Sequence, residues 1–266
     1  MRFIYWILIA LWFFIIPRLC LGQPLASTSF DEPSFSSPSD GALGVSQATI
    51  VPGPFETYES LDVVTIADPL EPMNRAFFHF NDKLYFWVLK PVASGYKAII
   101  PQPARVCVRN FFSNVATPIR LVNCLLQANF NCGGTEIARF FLNTTIGVAG
   151  LFDPAKTKFN IEKQEEDFGQ TMGVWGMGPL FYINWPLLGP SSLRDTIGFV
   201  ADGFLEPQYY LITSIPIHLS IRSYKIINET SLTIGEYEDL KDAALDPYGA
   251  LKDAYFQYRR KKIKER

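Results

Sequence analysis

Residues 68–91 read DPLEPMNRAFFHFNDKLYFWVLKP, and this stretch sets the character of the chain. Pro69 and Pro72 open it, and Phe77, Phe78, Phe80, Leu84, Tyr85, Trp87 and Val88 follow in close order. Steps of three and four are mixed with adjacent aromatics, so the segment predicts a helix with a very broad apolar face. Lys90-Pro91 predicts its end, because the residue before a proline avoids the helical region.

The same texture continues downstream. Residues 92–100 predict a second short helix, and Pro101-Gln102-Pro103 separates it from a third over 104–127, broken near Pro118. A fourth is expected over 133–145, with Ile137, Phe140, Phe141 and Ile146 on one side. From 147 to 190 the glycines Gly169, Gly173, Gly176, Gly178 and Gly189, with Pro179 and Pro186, exclude a long helix and allow short extended pieces. Ser192-Leu193-Arg194-Asp195 has the layout of a capping box opening another helix. Further helices are expected from 209, over 220–231 and over 232–245. The last runs from Asp246-Pro247 to about residue 262, with proline in its first turn. No strand alternation is sustained in the first half and no internal repeat occurs. The expected fold class is all-α, a bundle of short amphipathic helices with a glycine-rich loop region.

The ends of the chain differ from this body. Met1-Arg2 precedes an apolar run over 3–16, shorter than the roughly 18–20 residues of a spanning helix, and Arg18 and small residues follow it. This is the layout of a secretory signal over 1–22, with an uncleaved anchor as the alternative. Cys20 is a candidate for lipid attachment, but bulky Arg18 and Leu19 stand where a lipoprotein signal needs small residues. Residues 23–62 are rich in Ser, Pro and Gly and lack Lys and Arg, so they read as a flexible leader. The folded body is expected over 63–266.

Charge and cysteine count narrow the chemistry. Without residues 1–22, which hold two of the 24 basic residues, the balance against 26 acidic ones is about −4, which argues against a general nucleic-acid binder. The basic run 259–266 reads as a solvated helix end, with contact to anionic headgroups or an acidic partner as the alternative. Beyond the leader the cysteines are Cys107, Cys124 and Cys132, an odd number. Cys124 and Cys132 flank a helix–helix turn that a disulfide could clamp, with Cys107 expected buried and free. No cysteine and histidine spacing resembles a zinc site, so neither metal nor cofactor is expected.

Catalytic patterns are wanting. His79 and His218 are far apart, each in an apolar setting. No Gly-x-Ser-x-Gly elbow presents a serine, and the glycine-rich 169–178 stretch lacks the lysine of a phosphate loop. Glu162, Glu165, Glu166 and Asp167 read as a solvated loop rather than as paired acid and base. What remains is physical: abundant aromatic rings in short helices suit a membrane interface, the alternative being an ordinary aromatic core.

The ordered motifs sharpen this. Asp68-Pro69-Leu70-Glu71, Asn74-Arg75, Phe80-Asn81, Lys90-Pro91-Val92-Ala93 and Pro101-Gln102-Pro103-Ala104-Arg105 come first. Asn110-Phe111, Asn114, Arg139-Phe140-Phe141-Leu142-Asn143-Thr144, Gly147 and Phe168-Gly169-Gln170-Thr171-Met172-Gly173 follow. Leu193-Arg194-Asp195, Ala201-Asp202-Gly203-Phe204, Asp246-Pro247-Tyr248 and Ala254-Tyr255-Phe256 complete the series. Together they resemble the MlaA (VacJ) family.

That resemblance implies a ring-like helical protein lodged in the inner leaflet of the outer membrane, on its periplasmic side. It implies an amphipathic channel, association with porin trimers, and passage of misplaced glycerophospholipid to a soluble periplasmic carrier, with no covalent step. A porin-binding scaffold that carries no lipid is the competing reading. Phe80 and Asn81 match the family's signature near the channel. Gly147 and Gly150, and Gly169, Gly173, Gly176 and Gly178, are candidates for a mobile channel wall, since glycine permits backbone movement; simple tight turns are the alternative. Arg139 and Asp195 are expected in buried structural ion pairs. The poor context of Cys20 departs from a family of lipoproteins.

Overall fold

A computed structural model describes residues 67–264 of the chain. The expected signal, Cys20 and the leader over 23–62 lie outside the described residues. Within them the chain is mostly helical, and each helix begins where the sequence supplies a cap or a proline.

Helix α1 (Glu71–Leu84) starts with Pro72 in its first turn and Glu71 N–H bonded to the Asp68 carbonyl. It does not stop at Lys90. A π-helical turn over Tyr85–Leu89 leads without a break into α2 (Lys90–Ile99). The expected end at Lys90-Pro91 fails for a local reason: Lys90 N–H donates to the Tyr85 carbonyl, five residues back. A widened turn just before Pro91 gives the ring the space that a regular helix denies it.

Helices α3 (Gln102–Val115) and α4 (Thr117–Leu126) part at Ala116, ahead of Pro118. Helix α5 (Phe130–Thr145) begins three residues before its expected start, because the Asn129 side chain accepts from Cys132 N–H and caps it. Ala128, with φ of 54°, turns the chain between α4 and α5, and these two helices pack together. A disulfide joins Cys124 to Cys132 across the turn, their Cα atoms 5.6 Å apart. Replacing both cysteines by serine is expected to cost roughly 2–3 kcal/mol, the chain-entropy value for so short a loop. Denaturant unfolding with and without reductant measures it: reductant should lower the wild type by more than it lowers the variant.

Cys107, expected free, is not a free thiol.

Asp153 and Asp167 cap the short helices α6 (Pro154–Phe159) and α7 (Phe168–Val174). Then comes the one departure from an all-α fold. Strands β1 (Tyr182–Trp185) and β2 (Gly189–Ser192) form an antiparallel hairpin, Tyr182 opposite Ser192 and Trp185 opposite Gly189. Pro186 and Pro190 bar a helix here, and Leu187 and Gly189, with φ of 69° and 80°, close the turn. Each strand is too short to show a period of two in the sequence.

Ser192 caps α8 (Leu193–Gly203) by accepting from Asp195 N–H. Helix α9 (Pro207–Leu211) and the longest helix, α10 (Ile215–Thr233), follow, and Gly235 at φ of 112° separates α10 from α11 (Glu236–Ala243). Helix α12 (Pro247–Lys264) ends the described chain. Helix α10 packs on α2 and α3, α7 on α8, and α12 reaches α7, α11 and β2.

The apolar core is small and divided. One cluster holds Ala104, Cys107 and Leu151; the other holds Phe78, Tyr182 and Tyr248, with Tyr255 and Phe256 against it. Among the described residues, 18 polar or charged side chains are buried against 13 apolar ones. Large apolar side chains instead crowd the outside, with Trp87 74%, Phe141 61% and Leu211 82% exposed. Soluble domains bury apolar groups and leave polar ones in water; here the polarity is largely inverted. No described helix is long and apolar enough to cross a membrane.

Candidate functional site

The inversion is clearest in the α4–α5 pair. Arg120, Asn123 and Gln127 recur at i, i+3 and i+7 along α4 and its C-cap, so they share one face, and all three are buried. Glu136, Arg139 and Asn143 repeat that spacing on α5 and are buried too. The apolar residues point the other way: Leu125, Leu126, Ile137, Phe140 and Phe141 are all exposed. Ile137, Phe140 and Phe141 thus share a side, as expected, and that side faces outward.

The inward faces are tied together by hydrogen bonds and ion pairs. Arg120 Nε donates to Glu136 at 2.7 Å, and its other nitrogens reach the Ser113 carbonyl and Thr117 Oγ1. Gln164 N–H donates to the second Glu136 oxygen at 2.9 Å. Asn123 donates to Asp202 at 2.9 Å and accepts from Thr171 at 2.8 Å, while Gln127 donates to Glu166 at 2.7 Å. Arg139 pairs with Asp153 at 2.7 Å, and Asn143 holds the same carboxylate at 2.9 Å.

Three cavities follow this network around α4. The narrowest, about 20 Å³, is lined by Asn110, Ser113, Thr117, Arg120, Arg139 and Asn143, among others. Arg120 also lines the second, about 280 Å³, together with Glu166, Asp167, Gln170 and Arg259. The Gln127–Glu166 hydrogen bond joins the second to a third of about 620 Å³, lined by Gln127, Asn129, Phe130, Thr135 and Gln164. The result is a polar seam whose surrounding helices present apolar faces outward.

Helix α12 closes the seam on one side. Arg259 donates to both Asp167 and Asp195, Arg194 also pairs with Asp195, and Tyr255 hydroxyl bonds to Asp195. Burial alone would raise both carboxyls; the hydrogen bonds and charge of Arg259 outweigh it and hold both below the usual range. Asp202 and Glu166 have no such cation in contact, and burial pushes both up. Glu165 is held down to about 2 against its burial, by Lys163 first and then Tyr258 and Lys262. Of the acidic cluster, Glu162 and Glu165 are exposed on the loop, as expected, while Glu166 and Asp167 are half-buried. The cation that holds Asp167, Arg259, sits on α12, 92 residues away along the chain, where spacing gave no hint.

The sequence-predicted site residues separate into groups. Gly147 and Gly150 lie at the narrow end of the seam. A Cβ on Gly147 would meet the Asn143 carbonyl at 2.4 Å, and Gly150, at φ of 87°, sits against Asn114. Gly169 and Gly173 are in helix α7, where a Cβ would meet Asp195 and Ile263 respectively at 2.5 Å. Gly176, at φ of 92°, and Gly178 stand in open space just beyond that helix. Buried Arg139 pairs with half-buried Asp153, and Asp195 pairs with buried Arg194 and Arg259.

Phe80 and Asn81 stand at the hairpin. Phe80 is half exposed, and Asn81 donates to the Trp185 carbonyl and accepts from Leu187 N–H, both at 2.8 Å. One amide thus clasps a turn whose tip, Leu187 and Leu188, is exposed apolar surface. Asn81→Ala leaves both backbone groups to water and is expected to cost about 1 kcal/mol. Amide hydrogen exchange should speed up at Leu187 and stay unchanged in α4 and α5.

The histidines do not meet. His79 is exposed at the edge of Phe78, while His218 bonds the Ile212 carbonyl and stacks on Tyr209. The two polar stripes of α4 and α5 have the i, i+3, i+7 spacing of one helix face in the sequence itself, beside the apolar stripes that suggest an ordinary inward-facing side.

Comparison with known proteins fits this geometry. A family model described as MlaA lipoprotein matches residues 66–262. The chain is 34% identical over 195 residues to the Escherichia coli intermembrane phospholipid transport system lipoprotein MlaA, covering 72% of this chain and 76% of the relative. Its counterpart of the same description in Haemophilus influenzae is 26% identical over 193 residues, 71% of this chain and 76% of that one. A solved structure described as "Structural basis for maintenance of bacterial outer membrane lipid asymmetry" matches with a TM-score of 0.66 at 32% identity, over 74% of this chain and 99% of that one. On the match over 66–262, the chain belongs to the MlaA lipoprotein family.

Proposed function

We propose that this chain is the outer-membrane component of a phospholipid transport system. It sits in the inner leaflet on the periplasmic side, takes misplaced glycerophospholipid from the outer leaflet through an amphipathic channel, and passes it to a soluble periplasmic carrier. Porin trimers are its expected neighbours in the membrane. The observation that carries this reading is the inverted polarity: a buried polar seam around α4 with exposed aromatic and aliphatic faces around it.

The physics suits the task. A phospholipid has a charged head and apolar tails, so its path needs a polar lining for one and apolar surface for the other. Helices of 10–16 residues, such as α2, α4 and α5, are about 15–24 Å long, the scale of one leaflet with its headgroups. Residues 207–221 carry no charge, and Tyr210, Leu211 and Ile215 there are more than 70% exposed. Such a corner is costly in water and favourable in lipid. The name shared by the Escherichia coli and Haemophilus influenzae relatives supports the same assignment.

Outer-leaflet phospholipid labelling in a strain lacking this protein tests the proposal. Surface phospholipid should rise and return to its starting level when the chain is restored. Unchanged surface phospholipid, with porin binding intact, would favour the scaffold reading instead.

A further inference from the structure

We propose that the cavity beside Glu166 and Gln170 binds a primary ammonium group, supplied by the ethanolamine head of a glycerophospholipid; the source, though not the site, rests on the transport reading above.

The argument is one of unmatched acceptors. The cavity measures about 280 Å³, ample for a headgroup amine and larger than a single water needs. Every other charge on its wall is already paired. Arg120 is taken by Glu136, Arg259 by Asp167 and Asp195, and Glu165 by Lys163 and Lys262. Glu166 alone has no ion pair among the described residues; its one hydrogen bond comes from the neutral Gln127 amide.

Gln170 supplies the second, independent observation. Its side chain lines the same cavity and is 3% exposed. Its Nε2 donates to the Glu165 carbonyl and to Asp167, which fixes the amide's orientation, while its Oε1 has no donor at all. A buried acceptor without a donor is costly and rare.

A half-buried carboxylate and a buried amide oxygen on one cavity call for a cation with several N–H donors. An ammonium has three, whereas a quaternary amine has none. A divalent ion fits poorly, since no described group of three His, Cys, Asp or Glu could hold one. The groups facing Glu166 are Asp167 from its own loop, Gln127 from the end of α4, and Arg259 and Lys262 from α12. Both cations of α12 are engaged by other carboxylates.

The test is native mass spectrometry of the full chain, equilibrated with vesicles holding equal amounts of phosphatidylethanolamine, phosphatidylcholine and phosphatidylglycerol. Phosphatidylethanolamine should be retained about three- to tenfold over the other two, the range one net hydrogen bond supports. Glu166→Gln should lose that preference yet still retain phosphatidylglycerol, and Glu162→Gln, which removes the same charge from the exposed end of the cluster, should keep it. Retention in the supplied ratio, a preference surviving in Glu166→Gln, or equal loss in Glu162→Gln would overturn the site. Spermidine adducts that vanish in Glu166→Gln, without any lipid preference, would keep the ammonium site and overturn its lipid source. A chain retaining no phospholipid at all would overturn the transport reading, which is a different result from equal retention.

Discussion

Replacing Arg259 by methionine is expected to destabilise the protein by about 3–5 kcal/mol, the usual cost of breaking a buried charge pair from one side. The substitution keeps the apolar stem and removes the guanidinium. Asp195, itself largely buried, would retain Arg194, but Asp167 would lose its only ion-pair partner among the described residues. With its anchor gone, α12 should lift from α7 and β2, exposing Tyr255 and Phe256.

The effect should depend on pH in a definite direction. In the native protein both carboxyls sit below their unfolded values, about 3.9. Their contribution is therefore complete above that pH and is lost as pH falls through the lower folded values. Without Arg259, burial is less opposed and both carboxyls move up, so protonation relieves the variant. The gap between wild type and Arg259→Met should be widest at neutral pH and narrow below about pH 4. Thermal unfolding across pH 3.5–7 measures it; a gap that stays constant would mean that Arg259 acts by packing alone.

The second large effect is expected at Gly198. Helices α7 and α8 touch here through bare backbone: a Cβ on Gly198 would lie 2.3 Å from the Gly169 nitrogen and 2.7 Å from its Cα. No rotamer change can relieve a clash with main chain. Gly198→Ala must push the helices apart, at about 2–3 kcal/mol or more, which corresponds to a fall of roughly 4–12 °C in Tm for a body of this size. Separation would also pull Asp202 away from Phe168 N–H and Asn123, both bonded to it now, and so disturb the seam. Gly134 is the control. It lies within α5 with nothing near its missing side chain, so Gly134→Ala should raise stability by about 0.5–1 kcal/mol. Equal responses at the two glycines would sink the close-approach argument.

What could be read in the sequence depended on how far apart the partners are. Local punctuation was legible: the break ahead of Pro118, the Ser192 cap and the start of α12 at Pro247 all lie within a few residues of their cause. Pro91 misled, because the π turn that accommodates it carries no sequence mark of its own. The hairpin at 182–192 was reduced to allowed extended pieces, since its stability depends on Asn81, about 100 residues away. The partner of Asp167 was hidden for the same reason, Arg259 lying on α12.

The candidate site was legible by motif more than by mechanism. Resemblance singled out Phe80, Asn81 and the glycines, and the structure gives them distinct tasks: a clasp on the hairpin, tight turns at the seam's narrow end, and helix contact at Gly169 and Gly173. The buried stripes Arg120, Asn123, Gln127 and Glu136, Arg139, Asn143 were written plainly at helical spacing. Reading them needed the unusual premise that a helix turns its polar face inward, which holds only where the surroundings are apolar.

That premise is what most needs testing, and a photo-crosslinking amino acid placed in living cells tests it. Installed at Thr135 or Gln164, on the wall of the 620 Å³ cavity, it should capture phospholipid during growth. Capture at outward-facing Phe141 is expected as well, from the surrounding leaflet. Phospholipid adducts at Phe141 with none at Thr135 or Gln164 would contradict the account, for the chain would then sit in lipid without passing any through its polar seam.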